Sequence, residues 1–220
     1  MTVDFDPRTG KLVADEATLD VLLRHASGSP QNGTRTLAAL RAAAAVEEDG
    51  RVHAALDVTL DAMRYPEAGV LSLSYAGKAL HGWLSAKVAA LLMPADGTGR
   101  RALLRLHPSL LPEALARAVD LSPRPRPVDP KPVDQLAGDG TVVRWWRLMV
   151  GWPGADGRPD GRMLEVVDTY GGLFTVEPGQ IALPATPTGV WRLLVRLTAR
   201  TCLDGLRPLP PDADIPADQG

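Results

Sequence analysis

The apolar pattern that organises the chain lies over residues 142–176, VVRWWRLMVGWPGADGRPDGRMLEVVDTYGGLFTV. A run rich in Trp and Val breaks at a cluster of turn formers over 153–161, resumes over 163–168, turns at Tyr170-Gly171-Gly172 and continues over 173–176. Aromatic and β-branched runs between such turns predict strands joined as an antiparallel meander. Side chains alternate along a strand, so Val142, Trp146, Leu148, Val150 and Trp152 share one face. Val143, Trp145, Arg147 and Met149 share the other. A helical pattern follows over 190–203, with Thr188 as its expected cap.

An earlier stretch repeats this order. Residues 70–75, 80–85, 88–93 and 101–107 predict short strands, the first with Leu71, Leu73 and Tyr75 alternating against Ser72 and Ser74. A helix over 109–119, capped by Ser109, follows them. Upstream, 37–46 predicts an Ala-rich helix capped by Thr36. An EEDG turn then leads to a helix over 53–64, which Tyr65-Pro66 ends. Residues 17–24 predict a helical turn or two and 26–34 a loop, while 1–16 suit a short hairpin or a frayed end. The segment 122–134, SPRPRPVDPKPVD, holds five prolines between 123 and 132. It predicts an extended polyproline II linker that does not pair in a sheet.

The expected fold class is therefore α/β (α+β), with two pseudo-symmetric subdomains, each an antiparallel β-meander followed by a packed helix. The expected division is an N-terminal segment (1–35), a first subdomain (36–121), the linker (122–134), a second subdomain (135–203) and a disordered, Pro- and Asp-rich tail (204–220).

Composition narrows the function classes. The chain has 220 residues, 45% of them hydrophobic, enough to bury a substantial core. A net charge of −2 gives no global attraction to nucleic acid or anionic lipid. Its single cysteine, Cys202, supports neither a disulfide framework nor a Cys-based zinc site and suits a reducing cytosol. The opening MTVDFDPRTGKLV has no basic n-region or apolar h-region, so no signal peptide is expected, and no apolar stretch suggests membrane insertion. Abundant Ala, Arg, Gly and Pro with little Lys suggests a GC-rich bacterial source.

Catalytic patterns fail one after another. There is no G-x-S-x-G, no P-loop and no H-E-x-x-H. His81 and His107 fit the same side of the first sheet, but no carboxylate completes a metal site with them. Glu165 and Asp168, three apart on one strand, point to opposite faces and cannot act as a pair. Asp156 and Asp160 in GADGRPDG miss the spacing of a calcium loop. No catalytic residue, cofactor or metal is expected. Exposed aromatic and basic side chains give a better lead, because Trp, Met and Arg are enriched at protein interfaces. The candidate partner-binding residues are Trp83, Trp145, Arg147, Trp191 and Arg192.

The helix pair around AAAAVEEDGRVHAAL, the strands VLSLSYAG and RRALLRLHP leading into LLPEALARAV, the hairpin MLEVVDTYGGLFTV with its D-T-x-x-G turn, and the step ALPATPTGVWRLLVRL together resemble the EspG family of type VII (ESX) secretion-associated chaperones of actinobacteria. The resemblance covers roughly residues 36–203, in a chain shorter than that family's typical members. It implies a pseudo-two-fold α/β fold and a non-enzymatic cytoplasmic chaperone. The implied partner is a helical secreted protein or heterodimer, either a PE–PPE pair or a WXG-type hairpin. Contacts would come from the 76–79 and 94–100 turns and the 187–203 helix. No nucleic acid partner is expected, and homodimer formation is left open. The alternative reading is a regulatory or DNA-associated protein, from the winged-helix look of residues 37–64. Asp57 and Asp61 against Arg64 alone oppose a phosphate-binding face there.

Overall fold

The computed structural model describes residues 2–29, 33–95, 99–138, 140–154, 158–177 and 181–203. The 204–220 tail and parts of the 26–34, 94–100 and GADGRPDG turns lie outside the described residues. In chain order, a hairpin of β1 (Asp4–Asp6) and β2 (Lys11–Ala14) leads to α1 (Glu16–Ala26), α2 (Thr34–Ala42) and α3 (Ala54–Arg64). A meander of β3 (Gly69–Tyr75), β4 (Lys78–Leu84), β5 (Ala89–Pro94) and β6 (Arg101–Leu106) then runs through a 3-10 turn into α4 (Leu111–Ala118). Past the proline-rich segment come β7 (Lys131–Pro132) and α5 (Val133–Gly138). A second meander, β8 (Val142–Pro153), β9 (Pro159–Thr169), β10 (Gly172–Glu177) and β11 (Ile181–Ala185), ends in α6 (Pro187–Leu203).

These strands form one antiparallel sheet, ordered β1-β2-β6-β5-β4-β3-β8-β9-β10-β11-β7. The fold is thus mixed α/β, as the two meanders predict. Their first strands, β3 and β8, meet at the centre of the sheet, with Leu71 opposite Val150 and Leu73 opposite Leu148. The strand that precedes each helical insert closes on the last strand of its own meander, β2 on β6 and β7 on β11. Both halves therefore share one order: a strand, a helical insert (three helices in the first half, one in the second), a four-stranded meander and a final helix.

Helices cover the two faces unequally. On one face α4 and α6 lie over the centre, where Leu111, Leu115, Val190, Leu194 and Leu197 share a buried cluster with Leu71, Leu73, Trp146, Leu148 and Val150. On the other face α1, α2 and α3 cover only the first half, burying Leu19, Leu22, Leu40, Leu56 and Leu60 with Leu12 and Leu103. At the far end α5 sets Val133 and Leu136 against Val167, Phe174 and Ala182.

Several local expectations are corrected. The 122–134 segment does enter the sheet: Lys131 and Pro132 pair with Ala182 and Ile181. An outermost strand tolerates proline because one edge has no ladder partner to lose. Of the two readings for the N-terminal stretch, the hairpin holds: β1 pairs with β2, and β2 extends the first half by pairing with β6. The 37–46 helix starts earlier, at Thr34 with Gly33 as its cap. It stops at Ala42, because Ala44 turns left-handed (φ 59°) and Ala45 N–H donates to the Leu40 carbonyl. His107, not Ser109, caps the turn before α4, its Nδ1 accepting from the Ser109 backbone N–H. Thr186 takes the capping position expected of Thr188, accepting from the Gly189 N–H at 3.0 Å.

Asp15 caps α1, its Oδ1 accepting from the Thr18 backbone N–H at 2.8 Å. Hydrogen bonding from Thr18 holds the Asp15 carboxyl below its ordinary range. A carboxyl depressed by folding contributes stability above its unfolded-state value, about 3.9, and loses it as pH falls through the depressed value. Asp15→Ala is expected to cost about 1 kcal/mol at neutral pH. Urea titrations of the two proteins should show that gap closing below about pH 4. A gap unchanged down to that range would remove the cap from the account.

Candidate partner-binding trough

Residues paired across an antiparallel sheet point to the same face. Three rows therefore cross the middle of the face that α1–α3 and α5 leave open. Ser74 lies beside Arg147 and then Glu165. Next to them Ser72, Met149 and Met163 form a second row. Val70, Gly151 and Gly161 form the third, where two paired glycines leave bare backbone as the floor. The result is a trough over β3, β8 and the first half of β9, with α3 packed beyond its Val70 end and α5 beyond its Trp145 end. Its exposed apolar side chains include Val70, Trp145, Met149 (54%) and Met163 (56%).

One end of the trough deepens into a cleft of about 740 Å³. The 76–79 turn, Pro94, Gly99, Arg101, Trp145 and Arg147 border it, with Glu16 opposite at the start of α1. Tyr75 contributes to the rim, where burial raises its phenol above the ordinary value. Arg101 is fixed by a bond from its guanidinium to the Ala79 carbonyl at 3.2 Å.

Glu165 organises this end. It is only 7% exposed, yet its carboxylate accepts from the Trp145 indole N–H at 2.7 Å and from Arg147 Nη2 at 2.9 Å. A buried carboxylate is costly without such partners. Its hydrogen bond with Arg147 also raises the guanidinium pKa further, so the cation persists at any pH the fold survives. Trp145 and Arg147 are therefore held in place on the open face, which limits the entropy lost when a partner binds them.

The expected site residues separate accordingly. Trp145 and Arg147 come together in the trough, as the alternation along β8 predicts. Trp83 does not join them; it packs partly buried on Ala62, Met63, Val88 and Ala90 under α3. Trp191 and Arg192 are exposed on α6, on the opposite side of the sheet. Glu165 and Asp168 do point to opposite faces, and each has its own arginine. Asp168, 4% exposed, takes a two-pronged bond from Arg124 of the proline-rich segment, at 2.9 and 3.1 Å.

That pairing explains the D-T-x-x-G turn. Asp168 binds the linker, the Thr169 hydroxyl donates to the Gly172 carbonyl at 2.9 Å, and Gly172 takes φ 134°. A Cβ at Gly172 would lie 2.6 Å from Pro127 Cδ, so the proline run crosses directly over the turn. The motif is a clamp for the connection between the halves.

Sequence reading missed Met163 and the central role of Glu165. The signal was present: folding β9 back on β8 about the 154–158 turn places 165 opposite 147 and 163 opposite 149. Among the described residues no three His, Cys, Asp or Glu side chains gather as a metal site. Nor is any described helix long and apolar enough to cross a membrane. No protein-family model matches the sequence, and no curated protein matches it.

Proposed function

We propose that this protein is a non-enzymatic adaptor or chaperone that receives a helical secreted partner, in the manner of the EspG family it resembles. The observation that carries this reading is the open trough. Trp145, Arg147, Met149 and Met163 lie exposed on the middle of a sheet whose flanks are both covered by helices. Contiguous exposed apolar surface of this kind marks interaction sites, and these residue types are the ones enriched there. The 76–79 turn and Gly99 of the 94–100 turn border the adjoining cleft, so the loops that the resemblance singles out lie beside the trough. The shared connectivity of the halves supports the pseudo-two-fold relation that the family would bring. On this reading the protein works in the cytoplasm for a type VII secretion route, with a PE–PPE-like or WXG-type pair as cargo.

A tagged protein purified from its native host tests the proposal. A small, helix-rich secreted protein should elute with it, and Trp145→Ala should reduce recovery about tenfold, the loss typical of an interface anchor. An eluate of DNA or metabolic enzymes, or an empty one, would overturn the reading.

A further inference from the structure

We propose that the proline-rich strap between the halves is a second docking surface, a pre-formed polyproline II ligand for a partner domain whose groove is lined by aromatic side chains. The surface is separate from the trough and does not rest on the adaptor reading. Three observations carry it.

The first is conformation. Every residue from Ser122 to Pro127 is a proline or precedes one. Proline fixes φ at about −65°, and its ring pushes the residue before it into the extended region. Residues 121–128 accordingly belong to no helix or strand. Such a run is a polyproline II ribbon, three-sided because it has three residues per turn, and it rises about 3.1 Å per residue. A bend at Asp129 ends the straight run, so the ligand is residues 122–128, about 22 Å long.

The second is the way the ribbon is held. Leu121 packs against the central core, Arg124 grips Asp168 with two bonds at 2.9 and 3.1 Å, and Pro127 lies on Gly172. These anchors recur at every third residue, so they form one side of the ribbon and the other two sides face outward. Pro123, Pro125, Arg126 and Val128 are exposed. A connection between the halves needs only length, whereas this one is fixed along one side with its apolar outer positions bare. A partner meets it already ordered, which spares the entropy that a flexible proline tract loses on binding.

The third is the outer pattern. Val128, 87% exposed, is the third residue after Pro125, so both stand on one outer side, about 9 Å apart. A single exposed valine carries no argument. A proline and a valine in line on a fixed ribbon do, because aromatic-lined grooves recognise this conformation through apolar side chains so spaced. The other outer side sets Pro123 beside Arg126. That cation calls for a carboxylate at the rim of the groove.

A displayed library built on a WW domain, its groove aromatics kept and the neighbouring positions randomised, provides the test. Selection on the intact protein should enrich clones with Asp or Glu beside the groove. Binding of a selected clone should weaken about tenfold in Val128→Asp and about fivefold in Arg126→Glu. Both residues are exposed, so neither change disturbs the fold. A synthetic peptide of residues 121–130 should compete about tenfold more weakly than the intact protein, since it has its ordering still to undergo. Trp145→Ala should leave binding unchanged. A selection that yields no binder, or a clone that survives loss of its own groove aromatics or Val128→Asp, would overturn the inference. So would a peptide that matches the intact protein, or a clone that Trp145→Ala releases. The two proposals fail separately, because host capture of a helical partner depends on Trp145 and the ribbon's binding on Val128.

Discussion

Replacing Arg124 with Ala should destabilise the protein by about 3 kcal/mol, among the largest losses expected from any single polar substitution here. The reason lies in the partner left behind. Asp168 is 4% exposed on β9, and both of its oxygens accept from the Arg124 guanidinium. Removing one member of such a pair strands the other charge, which costs more than the pair itself contributes. Arg124 is partly solvated, so the lower end of the usual range applies. Its hydrogen bond to Asp168 raises the guanidinium pKa, so the cation is not lost within any pH range of interest. Adding Asp168→Asn to Arg124→Ala should recover part of the loss, because the stranded charge is then absent. The connection between the halves should also become sensitive to protease, since its proline run is tied across Gly172 by this clamp. Urea unfolding with an unchanged slope and a loss under about 1 kcal/mol would show that the clamp is not structural.

The same segment shows where sequence reading reached its limit. Its composition gives polyproline, and the inference that it stays out of the sheet follows from a rule about central strands. The segment meets the sheet at its outermost edge, where that rule relaxes. Edge position is a property of topology, not of local composition. α5 was hidden for a related reason: Val133 and Leu136 are its buried apolar contacts, too few to stand out as a period. β11 was hidden by Pro184, which lies opposite Phe174 in the last full-length strand pair. By contrast, the alternation in β3 and β8 was legible because each strand is buried on one face only. Strand β5 is covered on both faces, so Leu91 and Leu92 read as a run instead of alternation, whereas in β6 Ala102, Leu104 and Leu106 still alternate with Leu103, Arg105 and His107. For the site, Trp145 and Arg147 could be placed on one face from their spacing alone. The carboxylate that holds them arrives from the next strand, so placing it takes the further step of fixing the β8–β9 register about the turn.

Register also sets the sharpest contrast available in this chain, between two adjacent tryptophans. Trp146 is 2% exposed and packs with Leu148 and Val150 beneath α4 and α6. Trp146→Ala should cost about 3–5 kcal/mol, because the cavity opens where the two halves meet and cannot collapse without moving both helices. Trp145 is 38% exposed on the other face, and its indole shares Glu165 with Arg147. Trp145→Ala leaves that carboxylate paired, so its effect on stability should stay near 1 kcal/mol while its effect on partner capture is large. Chemical denaturation and capture assays on the two variants should thus give opposite rankings. Equal stability losses would mean that β8 does not separate a packed face from an open one, and the trough would lose its physical basis. A single-residue slip of β8 would exchange the two outcomes, since every side chain on the strand would change face. The bulge at Val142–Arg144 lies just before this pair, and from Arg144 to Pro153 the register runs unbroken. The contrast therefore tests the register on which the clamp, the Glu165 site and the trough all depend.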